Sequence, residues 1–190
     1  MTSYEKLSLL TQALIFAAAV VYSIFAWGQW RSIKRQADIA RNQDRPWIMV
    51  IPDNPEGWPS DKVRSSAFQF LWTAHNAGKS PAFLTKLWVA VIVAPYPVPD
   101  KRPDYREPDG FAEFIIPPNG KHTSKAGKTL TESDVASIKE GKTCIMFYGF
   151  IHYRDTFNIT HRTRFCSYWY QRGELREFSP VGPRSYIEYT

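Results

Sequence analysis

The sequence predicts a mainly β protein joined to one long N-terminal helix. Three observations carry that expectation. Residues 7–30, LSLLTQALIFAAAVVYSIFAWGQW, run for 24 residues without a formal charge. Beyond residue 46 the chain holds long stretches that alternate apolar and polar or are apolar on both faces. Only one short stretch of that part, starting near Thr131, carries a helix start signal. No alternation of strand and helix patterns is visible, which argues against a parallel sheet.

As a helix rising 1.5 Å per residue, residues 7–30 reach about 36 Å, more than the hydrocarbon core of about 30 Å. The polar members Ser8, Thr11, Gln12 and Ser23 are small or amide side chains, and Trp27 and Trp30 suit an interfacial aromatic belt. A cleavable signal peptide has a shorter apolar core followed by small residues. Here Ala17, Ala18 and Ala19 lie inside the run, and Trp27, Gln29 and Trp30 follow. A helix of a soluble core would show one apolar stripe, whereas this one is apolar nearly all round. The expectation is a transmembrane helix over residues 7–30 in a lipid bilayer, after a short lead over 1–6. Ala13-x-x-x-Ala17 and Ala18 offer a small-residue face that lets a second helix approach closely. Ala13, Ala17 and Ala18 are therefore the candidate partner-binding residues of this segment.

Residues 31–45 continue a helical pattern, with Ile33, Ala37 and Ala40 spaced by four and three and no proline. They predict a juxtamembrane stalk that Pro46 ends, because a proline disfavours helical geometry in the residue before it. Only Lys6 precedes the span, whereas Arg31, Lys34, Arg35, Arg41 and Arg45 follow it. The positive-inside rule then places the downstream head in the cytoplasm and the N-terminus outside. In a bacterium this is the inner, cytoplasmic membrane. The same count explains much of the formal charge of +6, since residues 1–45 hold six basic against three acidic groups. The other half of the excess is spread over the remaining 145 residues.

The head, residues 46–190, reads as follows. WIMVI at residues 47–51 is a short strand ended by Pro52, and residues 53–61 are rich in turn formers around Trp58. Residues 65–75 place Phe68, Phe70 and Trp72 on one face, a period of two that marks a strand. NAGKSPA, residues 76–82, is a turn. Its Gly78-Lys79-Ser80 matches the end of a phosphate-binding loop, but Thr73 stands where the upstream glycine is needed and Pro81 obstructs the following helix. Residues 83–94 are a strand apolar on both faces, and five prolines in residues 95–110 predict an extended loop. Residues 111–116 and 121–128 read as a short strand and an edge strand. Thr131 and Asp134 form a capping box for the head's one helix, with Val135 and Ile138 inward and Gly141 closing it. Residues 143–155 and 162–170 are two further long strands; residues 173–185 are turn-like, and 186–189 add a last edge strand. About seven strands of antiparallel character predict an immunoglobulin-like β-sandwich.

Two cysteines, Cys144 and Cys166, are too few for a disulfide framework and lie in apolar runs, so buried free thiols are expected. His152, Asp155 and His161 form the most suggestive polar cluster, with His75 at the end of another strand. These four are the candidate ligand-binding residues. His152 and Asp155, three apart on an extended strand, would face opposite sides unless the chain bends between them, and no compact ligand pair such as H-x-H is present. No metal, cofactor or catalytic residue is assigned, and no G-x-S-x-G elbow is visible. Arg154, Arg162, Arg164, Arg172 and Arg176 interleave with aromatics, a pattern that can bind single-stranded nucleic acid. The nearly balanced head charge, with Glu174 and Glu177 nearby, argues against it and favours cross-strand pairs. In the proline-rich loop, Tyr96, Arg102, Tyr105 and Arg106 are candidate partner-binding residues, since proline lowers the ordering cost of docking and Tyr and Arg suit interface cores.

Arg45-Pro46-Trp47, Asn76-x-Gly78-Lys79-Ser80-Pro81-Ala82, Tyr153-x-Asp155 and Thr163-x-Phe165-Cys166, together with the N-terminal span, give a layout that covers nearly the whole chain. It resembles that of uncharacterised bacterial single-span membrane proteins with a small β-rich head. The resemblance implies a membrane-anchored head and brings no activity, cofactor or catalytic residue with it. The function expected from the sequence is that of a membrane-anchored accessory or scaffold protein that binds another protein, a membrane partner or a second copy, within a membrane complex. The alternative is a tethered domain for a small ligand or an anionic lipid headgroup.

Overall fold

The computed structural model describes residues 3–55, 65–101, 105, 113–172, 175–179 and 184–190. The chain forms two compact units, Met1–Asp44 and Arg45–Thr190. The first is a single helix, α1 (Ser3–Asp44), of 42 residues. Its segment Thr11–Arg41 is long and apolar enough to cross a membrane, and none of its apolar window is buried inside the protein. The side chains that follow the apolar run fold back over the indoles one turn earlier. Arg31 lies 3.9 Å above the Trp27 ring and Lys34 lies 5.4 Å above Trp30. Each pair is spaced i, i+4, which brings cation and ring to the same helix face. The Ser23 hydroxyl donates to the Ala19 carbonyl at 2.8 Å, which satisfies a polar group within the apolar stretch.

The second unit is built of strands β1 (Ile48–Pro52), β2 (Ser65–Asn76), β3 (Ala82–Pro95), β4 (Phe114–Ile116), β5 (Lys121–Thr131), β6 (Thr143–Arg154), β7 (Thr160–Arg172), β8 (Leu175–Ser179) and β9 (Glu188–Tyr189). Helix α2 (Glu132–Lys139) joins β5 to β6, and a 3-10 turn, Arg184–Tyr186, precedes β9. One sheet has the order β1-β2-β5 and the other β4-β3-β6-β7-β8, with β9 also beside β7. All pairings are antiparallel.

The period-two pattern of β2 dictates how the sheets meet. Phe68, Phe70 and Trp72 all point to one side, where they join Ile145, Phe147, Ile151, Phe165 and Trp169 of the larger sheet in a common core. Phe70 meets Phe147 edge-on with ring centres 5.1 Å apart, and Phe68 meets Trp169 at 5.4 Å. Each such ring removes enough apolar surface from water to contribute about 1.5–3 kcal/mol, and tilted or edge-on geometry suits the ring quadrupoles. The capping box is present: the Asp134 N–H donates to Thr131 Oγ1 at 3.2 Å and the Thr131 N–H donates to Asp134 Oδ2 at 2.9 Å. Ile138 of α2 is fully buried, and Gly141 takes the left-handed conformation (φ +72°) that ends the segment.

Two elements differ from the sequence reading. The edge strand expected over 121–128 is an 11-residue strand paired with β2 from Ser65↔Thr131 to His75↔Lys121. Its Gly, Lys and Ser content lowers strand propensity, but the long neighbour supplies the ladder, and context overrides propensity in sheets. The turn-like stretch after Gly173 contains strand β8, whose Phe178 packs on Phe70 at 4.7 Å and Phe68 at 6.4 Å.

The start of the head is tied down by one side chain. Asn76, wholly buried, accepts on Oδ1 from the Trp47 N–H (3.1 Å) and the Gly78 N–H (3.0 Å). Its Nδ2 donates to the carbonyls of Ser80 (2.8 Å) and Ile116 (3.1 Å). All four hydrogen-bonding positions of the amide are thus used. The backbone adds Ala77 N–H to the Trp47 carbonyl at 2.7 Å and Asn119 N–H to the Asn76 carbonyl at 2.9 Å. Gly78 permits this closeness, because a Cβ there would lie 2.3 Å from the Arg45 carbonyl oxygen. Asn76→Ala should therefore lower head stability by on the order of 3 kcal/mol, since it strands buried donors and acceptors at once. Thr131→Ala, which removes only a cap, should cost about 1 kcal/mol. Chemical denaturation of both variants measures the difference, and equal losses would contradict this ranking.

Candidate functional site: an aromatic face and a buried Asp–His pair

The larger sheet has two covered sides. On its outer side a second cluster gathers Ala94, Cys144, Met146, Tyr148, Cys166 and Tyr186, flanked by Trp88, Ala90, Ile92, Tyr105, Tyr168 and Tyr170. This explains why β3 and β6 read as apolar on both faces: one set of residues faces the common core and the other faces this cluster. Tyr105, from the proline-rich loop, lies on Trp88 (5.8 Å), Phe150 (5.7 Å) and Tyr148 (6.0 Å). Its hydroxyl donates to the Tyr186 carbonyl at 3.4 Å, and Arg164 sits over its ring at 5.1 Å. Burial pushes the Tyr105 phenol up to about 12 despite Arg164. Tyr96 is 43% exposed and stacks on Tyr170 with centres 6.0 Å apart and planes 18° from parallel, beside Tyr168. Of the loop residues expected to meet a partner, Tyr96 is thus presented to solvent and Tyr105 packs on the chain's own sheet. Arg102 and Arg106 lie outside the described residues.

The second feature is polar. The β6–β7 connection bends after Arg154, and Asp155 Oδ1 accepts from the Phe157 N–H (2.8 Å) and the Ile159 N–H (2.9 Å). Its Oδ2 lies 3.0 Å from His161 Nε2, and His161 Nδ1 lies 3.1 Å from the Thr190 carbonyl oxygen. The ring stacks on Tyr153 at 5.4 Å. Both groups are buried. Burial raises the carboxyl of Asp155, but the hydrogen bonds from His161, Ile159 and Phe157 outweigh it and hold the group below its ordinary value. The bend makes this pairing possible, since an unbroken strand would separate the two.

The remaining members of the polar cluster sit elsewhere in the sheets. His152 pairs in register with Lys86 and Arg162 and touches Phe150 on the outer face at 4.8 Å. His75 lies in the smaller sheet between Met49 and Lys121. Among the described residues no three His, Cys, Asp or Glu side chains gather as a metal-binding group. Arg162 and Arg164 both pair with Glu188, and Arg154 pairs with Glu113. The two cysteines are free and buried, and desolvation pushes the Cys144 thiol to about 11 and Cys166 to about 12. Such thiols hold almost no reactive thiolate at neutral pH. In α1, Ala17 and Ala18 line a shallow apolar notch with Leu14, Val21, Tyr22 and Phe25, and Ala13 is exposed beside it. On the outer face of the smaller sheet, Asp53, Asn54, Gln69, Leu71 and Lys125 line an open depression of about 470 Å³.

Sequence reasoning did not single out Asn76, Tyr186 or Glu188. Asn76 looks like any turn asparagine until its four partners converge, and Glu188 and Tyr186 act through chain segments far away in sequence.

The Asp155 result has a pH consequence. A carboxyl whose folded value is depressed stabilises the fold above its unfolded value of about 3.9, and that contribution is lost as pH falls through the folded value. Head stability should therefore drop on acidification below about pH 4. Asp155→Asn should cost on the order of 1.5–3 kcal/mol at neutral pH and make the acid limb shallower. Denaturation curves at pH 7 and below pH 4 test this, and an unchanged acid limb in the variant would contradict it.

No protein-family model matches the chain, and no curated protein sequence matches it. Among solved structures, the chain is similar to Northeast Structural Genomics Consortium target SoR45, with 15% identity, 70% of this chain and 92% of that chain covered, and a TM-score of 0.39. It is also similar to the "Putative ApaA Protein" from Bordetella pertussis, with 12% identity, 73% and 94% covered, and a TM-score of 0.39.

Proposed function

We propose that this chain is a single-span accessory protein of a membrane complex, whose head lies in the cytoplasm and binds another membrane protein. The observation that carries the reading is the aromatic surface at Tyr96. An exposed tyrosine stacked on Tyr170 and backed by a packed layer is already ordered, so a partner pays little to fix it. Exposed, ordered aromatic surface of this kind is characteristic of interface cores. The exposed face at Ala13, Ala17 and Ala18 offers a second contact inside the bilayer.

The strand order supports an immunoglobulin-like identity for the head. Orders β1-β2-β5 and β3-β6-β7 correspond to A-B-E and C-F-G of that sandwich, with β4 moved beside C. The cytoplasmic placement is supported by the five basic residues of the segment after the span. The same residues favour a second reading, contact with anionic lipid headgroups, because Arg31 and Lys34 already lie over Trp27 and Trp30 where interfacial residues belong.

Purification of the full chain in mild detergent should recover a defined membrane protein that, when tagged itself, recovers this chain. Tyr96→Ala with Tyr170→Ala, and separately Ala13→Leu with Ala17→Leu, should reduce that recovery while the head remains folded. A chain that purifies alone, or a partner indifferent to both pairs of changes, would overturn the reading. Topology has its own test. A thiol introduced as Lys121→Cys should react with a membrane-impermeant reagent only after permeabilisation, against a silent background from buried Cys144 and Cys166. Reaction in intact cells would place the head outside.

A further inference from the structure

Exposed turns are built from glycine, proline and short polar residues, for reasons of backbone geometry and hydration. Two turns of the head follow this rule: residues 77–81, with Gly78, Lys79, Ser80 and Pro81, and residues 117–120, with Pro117, Pro118, Asn119 and Gly120. The β6–β7 turn beside them does not. It carries Phe157 and Ile159, which are 53% and 40% exposed. Asp155 Oδ1 accepts from the N–H groups of both. The Asp155 N–H donates to the Ile159 carbonyl at 3.1 Å and the Asn158 N–H to the Asp155 carbonyl at 3.0 Å. Asn158 takes the left-handed conformation (φ +61°) that this tight turn requires. Two apolar side chains are thus fixed on an ordered tip in water.

A single exposed apolar residue is ordinary, but these two have company. The registers Ile48↔Asn76, His75↔Lys121, Ala82↔Ile116, Phe83↔Arg154 and Arg154↔Thr160 bring the three turns to one end of the head. Hydrogen bonds of Asn76 to Ile116 and of Thr163 to Ile48 join the two sheets there. Exposed Trp47 and Ile115 lie at the same end. So do the cations Arg45, Lys79, Lys121 and Arg154. The acidic residues of these segments are Glu113, which pairs with Arg154, and Asp155, which is buried. Residues 45–47 are also where the chain enters the head from α1. Between Trp30 and Asp44 that helix rises about 21 Å, so a bilayer that it crosses lies within about that distance of the entry.

We propose that the β6–β7 turn is a membrane-surface contact. Phe157 and Ile159 enter the interface of a bilayer carrying anionic lipids, and the basic residues of the same end meet the headgroups. Aromatic and branched aliphatic side chains gain by leaving water for the headgroup–acyl boundary, and nearby Lys and Arg add attraction to anionic lipid. The ordered turn loses little freedom on docking. Two side chains would hold a free domain only weakly, but tethering through α1 raises the effective concentration of the surface, so a weak contact suffices. Tyr96 follows the other end of β3, about 43 Å along the strand from Phe83, so this contact leaves it in water. The inference is independent of the partner-binding reading: either contact can form without the other.

The full chain in nanodiscs of phosphatidylcholine, with and without phosphatidylglycerol, tests it. Cys144 and Cys166 are buried, so a spin label can be directed to the exposed tip by Thr156→Cys, with Lys125→Cys in mid-strand of the smaller sheet as reference. With phosphatidylglycerol present, the Thr156 label should be more accessible to oxygen than to a water-soluble nickel chelate. The preference should weaken in phosphatidylcholine alone, and the Lys125 label should favour the chelate in both. Phe157→Ser with Ile159→Ser keeps the backbone N–H groups that Asp155 holds, so it should leave the denaturation curve unchanged and return the label to water. Phe157→Trp, which keeps an aromatic ring, should retain the depth. A Thr156 label that favours the chelate in every nanodisc would overturn the proposal. A label that stays shielded in the double-serine variant, or that is shielded only when another protein is added, would also overturn it, because protein rather than lipid would then cover the tip.

Discussion

The hydrogen bonds of Asn76 are the constraint on which the head's organisation depends. A buried primary amide is costly unless both of its donors and both acceptor positions are used. Here the four partners come from three places in the chain: the entry at Trp47, the turn at Gly78 and Ser80, and strand β4 at Ile116. The amide therefore fixes where the chain enters the head, how β2 turns into β3, and where β4 returns. The rest of that end follows from it. Once Ile48 is placed, its carbonyl accepts from the Thr163 hydroxyl at 3.1 Å, which ties β1 to β7 across the core. Arg45, at the entry, lies 3.9 Å above the Trp47 ring.

That arrangement gives the sequence motifs a common physical meaning. Arg45-Pro46-Trp47, the Asn76–Ala82 turn, Thr163 and the Asp155–His161 pair are far apart in the chain, yet each supplies polar contacts that close an end of a strand. The motif NAGKSPA is a joint between strands, and its glycine is required by the approach of the Arg45–Trp47 backbone. Asp155 holds the backbone of its own turn and the His161 ring, while the outer cluster turns one face of the larger sheet into a second hydrophobic layer. With both sides of the main sheet covered, Tyr96 stays presented to solvent beside Tyr168 and Tyr170.

Much of the architecture was legible because it rests on local rules. The alternation Phe68, Phe70, Trp72 marks β2 and its buried face, and Thr131 with Asp134 marks the start of α2. The long uncharged run at residues 7–30 marks a helix, and the spacing of Ile33, Ala37 and Ala40 marks its continuation, which α1 makes unbroken to Asp44. What stayed hidden depends on neighbours. Strand β5 is extended by its pairing with β2, not by its own composition. Strand β8 is short and flanked by turn formers, and only the contact of Phe178 with Phe68 and Phe70 reveals why it is a strand. Extended geometry accounts for the separation of His152 from Asp155, but the approach of Asp155 to His161 depends on the bend after Arg154, which no local pattern announces. The role of Tyr105 depended on knowing that the outer face of β3 and β6 needed a cover.

If the Asn76 amide truly organises the head, the N–H groups that it accepts should open only when the whole head unfolds. Native-state hydrogen exchange of the Trp47 and Gly78 amides measures this directly, since local openings and global unfolding differ in free energy. The account predicts that both exchange with the same opening free energy as the central amides of β6, and fall together with them as denaturant is added. Exchange of Trp47 and Gly78 at the rate of the exposed turns, while β6 remains protected, would contradict it.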